Sequence, residues 1–281
     1  MKRTFVSRVL GVLAALIALV IMSLPSDASA QEIQLTGPLA GAPACRSCRL
    51  YRQGRGEIAI GYAPTILDEY ERSNFVAGRL QYNVFDWLGI GIFGGYNVVN
   101  IDTDLTDKID ATAPRNSRTA ANIAPRGTKF GEQTGKLQWM ATPQLTFSPF
   151  RGKLAVFQKL FVDTDLYLHG GLAIIGLKER GECGVGQCTQ AKSFALASRT
   201  AFAPSFGLGL TLYTSGLVSI NMEYRAFPMS WNRGGFDSRG GQPDGNFPDN
   251  KIDSEDQTFK FNQMVFLGVG FHLPSQPKLS E

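Results

Sequence analysis

His169 shares a short extended-looking stretch with Asp163 and Asp165, and a carboxylate beside an imidazole is one way to activate water for attack. The spacing argues against such a pair within this stretch. Residues four and six apart in a strand are separated by roughly 13 and 20 Å at about 3.3 Å per residue. A partner for His169 would therefore have to come from another strand, and His272, near the end of the last apolar segment, offers still less. A barrel enzyme acting on lipid or peptide is thus an alternative and not the expectation.

Four cysteines fall in two close pairs, Cys45 with Cys48 and Cys183 with Cys188. Four thiols raise the question of zinc, but the topology argued below puts the pairs on opposite sides of a membrane, where they cannot share an ion. Haem attachment needs a histidine directly after the second cysteine, and Arg49 stands there. Two local disulfides are expected in an oxidising compartment, with a redox-active role left open for the first pair. Asp244, Asp249, Asp253, Glu255 and Asp256 could hold calcium loosely, but their spacing fits no known calcium loop. No catalytic residue, cofactor or metal site is assigned.

A different set of charges recurs at alternate positions of otherwise apolar segments: Glu57, Arg79, Lys136, Asp163, Asp165, Arg199, Glu223, Arg225 and Lys260. Five basic residues stand against four acidic ones. A buried charge without a partner costs far more than the pair contributes, so these nine are expected to form an ion-pair network inside a closed barrel.

The elements that must position them are strands. From Leu160 to Ile175, Val162, Leu166, Leu168, Leu172 and Ile174 alternate with Asp163, Asp165, Tyr167, His169 and Ala173, a period of two. The same alternation marks Arg55–Pro64, Asn74–Val84, Leu88–Val99, Lys136–Ser148, Arg199–Tyr213, Leu217–Phe227 and Thr258–Leu273. Phe93 breaks the polar side of the third. Eight is an even number, as single-chain bacterial barrels require, and long connections alternate with short ones in the order external loop, periplasmic turn. The fourth connection, residues 149–159, reads as an interfacial segment or a rim-packed one. Hydrocarbon does not tolerate an open sheet edge, so the eighth strand is expected to pair with the first. The fold class is all-β: an eight-stranded antiparallel transmembrane barrel, its interior just wide enough for side chains to fill.

The N-terminus adds the export route. Lys2, Arg3 and Arg8 precede an apolar run to Leu24, and Ala28-Ser29-Ala30 offers a signal-peptidase site, so residues 1–30 read as a signal peptide. Residues 31–54 read as a periplasmic lead-in that plugs or flanks the barrel mouth, 55–273 as the barrel and 274–281 as a tail. Removing the signal leaves 25 basic against 23 acidic residues, a formal +2. That balance argues against a nucleic-acid surface, which concentrates basic charge.

Several stretches resemble the outer-membrane β-barrel proteins of myxobacteria and related deltaproteobacteria, broadly similar to small OmpA-like barrels. The likeness is carried by Gly37-Pro38-Leu39-Ala40-Gly41-Ala42-Pro43, Arg49-Leu50-Tyr51-Arg52, Leu67-Asp68-Glu69-Tyr70, Tyr82 to Leu88, and Gly152-Lys153-Leu154 leading to Asp165-Leu166-Tyr167-Leu168. The aromatic ending around Phe271 is similar to closing strands read by barrel assembly machinery. The resemblance implies fold and outer-membrane location and no catalytic residue. The expected role is a structural or surface-interaction component of the Gram-negative cell envelope. Its partners would be outer-membrane lipid and lipopolysaccharide, the assembly machinery during insertion, and an envelope protein met through the loops. The alternative is a narrow channel for small solutes.

Overall fold

Side chains of an extended chain point alternately to opposite faces, and the alternating stretches become eight strands. They are β1 (Gly56–Ile66), β2 (Glu71–Asn83), β3 (Leu88–Asp102), β4 (Lys136–Val156), β5 (Leu160–Arg180), β6 (Leu196–Tyr213), β7 (Val218–Trp231) and β8 (Thr258–Leu273). Each pairs antiparallel with its neighbour in sequence, and β1 also pairs with β8, from Gly56↔Leu273 to Ile66↔Gln263, so the sheet closes. This computed structural model describes residues 52–112, 130–156, 160–180, 196–236 and 254–274. The signal peptide, the four cysteines, Asp244, Asp249 and Asp253 lie outside the described residues.

The barrel has a near end, where β1 begins, and a far end. At the near end residues 84–87 and 214–217 make tight turns. At the far end the first connection is only residues 67–70, shorter than the loop expected there, with Leu67 at a φ of 60°. The next far-end connection contains helix α1 (Asp104–Thr112), pinned to that turn by Thr106 Oγ1, which donates to Tyr70 O at 2.6 Å. β4 and β5 correct the sequence reading most. Residues expected to form a connection after Ser148 are strand, pairing Phe150↔Leu166 through Val156↔Leu160. β3 pairs with β4 only as far as Leu88↔Phe147, so this two-stranded ribbon overhangs the near end.

The outer wall is apolar. Ile58, Ile60, Val76, Leu80, Ile90, Ile92, Leu145, Leu168, Leu172, Phe202, Phe206, Leu208, Ile220, Met222, Leu267, Val269 and Phe271 are all exposed. A monomer dissolved in water rarely shows a continuous patch of this extent. Charges stay off this belt because every strand keeps them at the inward parity or at its ends.

Candidate functional site: the filled lumen

The inward rows of β7 and β8 change character from one end of the barrel to the other. Along β7 it reads Ser219, Asn221, Glu223 and Arg225, then Phe227, Met229 and Trp231; along β8, from the near end, it reads His272 and two glycines, then Phe266 and Met264. The lumen therefore has two storeys, a polar near one and an apolar far one.

Arg79 is the hub of the polar storey. Its guanidinium is fully buried and meets Glu57 Oε1 and Glu223 Oε2, each at 2.8 Å, Asn221 Oδ1 at 3.1 Å, and the Tyr167 hydroxyl. Tyr167 in turn donates to Glu223 Oε2 at 3.0 Å, and Asn221 Nδ2 donates to Glu57 Oε1 at 2.9 Å. Arg225 pairs with Glu223 and donates to Gln144 Oε1 at 2.6 Å and Ser205 Oγ at 3.1 Å. Two guanidinium groups thus face two carboxylates, which is how a dry site can hold charge at all. Gly209 is part of the design: a Cβ there would overlap the Tyr167 ring.

A second pair closes the near mouth. Arg52 reaches in from the segment before β1, donating through Nε to Asp165 Oδ2 and through Nη1 to Ser148 Oγ, both at 2.7 Å. The backbone N–H groups of Arg52 and Gln53 donate to Asp86 Oδ1 at 2.7 and 3.0 Å. The sequence marks residues 31–54 as a lead-in that plugs or flanks the barrel mouth; of its described residues, Arg52 enters the mouth with a buried guanidinium.

The apolar storey begins at Phe93. One face of its ring carries the Arg225 guanidinium 4.1 Å from the centroid, and Phe266 packs edge-on at 5.6 Å. Above them Phe75, Phe227, Met140, Met264, Leu137, Ile175, Leu177 and Trp231 fill the section.

Of the nine charges expected inside, Glu57, Arg79, Glu223 and Arg225 meet in one cluster, and Asp165 joins Arg52. Asp163 is half-buried below that pair. Lys136, Arg199 and Lys260 do not enter the lumen: they pair at the far rim with Glu71 (3.3 Å), Glu179, and Glu69 (2.8 Å). For Lys136 the cause is a bulge between Leu137 and Trp139, which turns Leu137 inward and reverses the parity of Lys136. Arg233 and Asp68 add a further rim pair at 3.2 Å, where burial outweighs the guanidinium and holds the Asp68 carboxyl above the usual range.

The carboxylate that meets His169 comes from β7, beyond the adjacent β6: Glu223 Oε1 lies 3.4 Å from Nε2, and Tyr224 O lies 3.3 Å from the same nitrogen. The imidazole is buried in the polar storey. His272 Nε2 is 2.8 Å from Ser219 Oγ.

These features define a small closed antiparallel barrel of the kind that crosses a membrane with strands, its lumen occupied by its own side chains. Solved structures with the same architecture include the N-terminal β-barrel domain of Pseudomonas aeruginosa OprF, 12% identical with a TM-score of 0.42, spanning 79% of this chain and 98% of that one. Others are Ail, the attachment invasion locus protein of Yersinia pestis, 12% identical with a TM-score of 0.33 over 79% of this chain and 99% of that one, and the outer membrane protein OprG from Pseudomonas aeruginosa, 11% identical with a TM-score of 0.35 over 79% and 97%. No family model and no curated protein matches the chain.

Proposed function

We propose that the chain is an integral outer-membrane barrel with a sealed lumen, acting as a structural or surface-interaction component of the cell envelope. The observation that carries this is the inversion of an ordinary soluble fold: apolar residues on the outer wall, and paired charges in the middle. Lipid is the solvent that suits such a wall, and in lipid the β1–β8 pairing leaves no edge unsatisfied.

With the near end in the periplasm, the three longer connections face outward, where they meet an external or partner-protein surface. The motifs shared with myxobacterial barrels favour the same location. A narrow solute channel is the less favoured reading, because water would have to cross both a phenylalanine-lined section and a cluster of paired charges. An enzymatic role through His169 is less favoured, because its imidazole is buried among the charge cluster. Planar-bilayer recordings of the purified barrel test the reading. Flat traces with small or rare openings are expected; large, stable openings would overturn it.

A further inference from the structure

Above the Tyr96↔Trp139 pair β3 and β4 part, while β3 stays on β2 up to Asp102 and β4 stays on β5. A cleft of about 160 Å³ opens in the wall at the far end, lined by Asn97, Asn100 and Val98 of β3, Lys136 and Gln138 of β4, and Lys178 of β5. Lys136 and Lys178 are partners in the β4–β5 register, next to Leu137 and Leu177, which both turn into the lumen. Two lysines are thus register partners at outward positions, both lining the cleft. Like charges directly opposite on a sheet destabilise it. Glu71 neutralises Lys136, but no carboxylate among the described residues pairs with Lys178.

Asn97 lines the cleft, and its Oδ1 is buried and without a hydrogen bond. Immediately below it, Tyr96 and Val98 are 63% and 56% exposed on the apolar wall. A ligand that satisfies all three features carries an anion, a hydroxyl donor and apolar chains.

We infer that this cleft is a binding site for a phosphorylated glycolipid of the outer leaflet, its phosphate on Lys178 and Lys136, a sugar hydroxyl on Asn97, and its acyl chains along Tyr96 and Val98. The site rests on the membrane reading above. It adds a specific position on the wall and a specific headgroup.

The test uses the full-length barrel extracted from membranes and titrated, by native mass spectrometry, with bisphosphorylated lipid A, dephosphorylated lipid A and phosphatidylglycerol. The phosphorylated glycolipid is expected to bind best. Lys178→Gln should weaken it about tenfold, the order expected for one charge-assisted hydrogen bond. Lys178→Arg should retain binding, and Lys260→Gln, on the opposite wall, should leave it unchanged. If the glutamine variant is not recovered folded, Lys178→Met, which keeps the aliphatic stem, replaces it. Equal binding of the three lipids, or equal affinity of parent and Lys178→Gln, overturns the site while leaving the membrane barrel standing. Recovery of the parent from detergent-free soluble extract overturns the membrane reading itself.

Discussion

Arg79 and Glu223 stand 144 positions apart in the chain and meet at 2.8 Å across the lumen. Their strands, β2 and β7, lie on different sides of β1 and β8, so the pair spans the tube and depends on its closure. Removing one partner strands the other in a dry site. Arg79→Ala is expected to destabilise the barrel by about 3–5 kcal/mol. Replacing Arg79, Glu57, Glu223 and Arg225 together with apolar residues of similar size should cost far less than the single change, because no charge of the cluster is then left alone. Urea unfolding in lipid vesicles, compared for the two variants, checks this; a single variant as stable as the parent would remove the network from the account.

Tyr167 lies where only a glycine opposite leaves room. Gly209→Ala should push the ring off Arg79 and Glu223 and cost about 1–3 kcal/mol, the usual range for overpacking. Gly170→Ala serves as the comparison, since a Cβ there meets nothing within 4 Å. A matched loss in both would show that the strand backbone, and not the ring, sets the cost.

Leu67 adopts the left-handed conformation that a Cβ disfavours, and its side chain is 76% exposed. Leu67→Gly is therefore expected to stabilise the far-end turn by about 1 kcal/mol. A rise in the unfolding midpoint measures it, and a fall would mean that the side chain makes an interaction important to the fold.

The Asp68 carboxyl is held above its usual range chiefly by burial, against the pull of Arg233. Its proton is therefore bound more tightly in the folded chain than in the unfolded one. The stability this group contributes is full below its unfolded value and is lost as pH rises through its folded value. Subtracting the urea midpoints of Asp68→Asn from those of the parent, between about pH 3 and 7, should leave a difference that turns against the parent as pH rises. A flat difference would contradict the assignment.

Strand number, order and the outward rows of β1, β2, β3, β5, β7 and β8 were legible because alternation survives wherever one face is apolar and the other is not. Two features were hidden. The bulge beside Leu137 inserts one residue, and a period of two carries no memory across it, so Lys136 was placed on the wrong face. The far storey was hidden because Phe75, Phe227 and Met264 point inward from strands whose outward residues are apolar too, and a segment apolar on both faces has no alternation to read. Arg52 was legible as part of a segment at the barrel mouth, but its pairing with Asp165 was not, because a non-periodic segment has no register to read. Phe93 alone gave a hint, as the aromatic that interrupted a polar row.

The two storeys close the passage by unlike means, one by exclusion of water and the other by pairing of charge. Truncating Leu177 leaves the guanidinium cluster its partners, and loss of Arg52 leaves the ring around Phe266 its packing. With the lumen sealed as proposed, leakage through the barrel requires a lesion at each level. Its tightness is buffered against single mutations in a way that a barrel stoppered at one level is not.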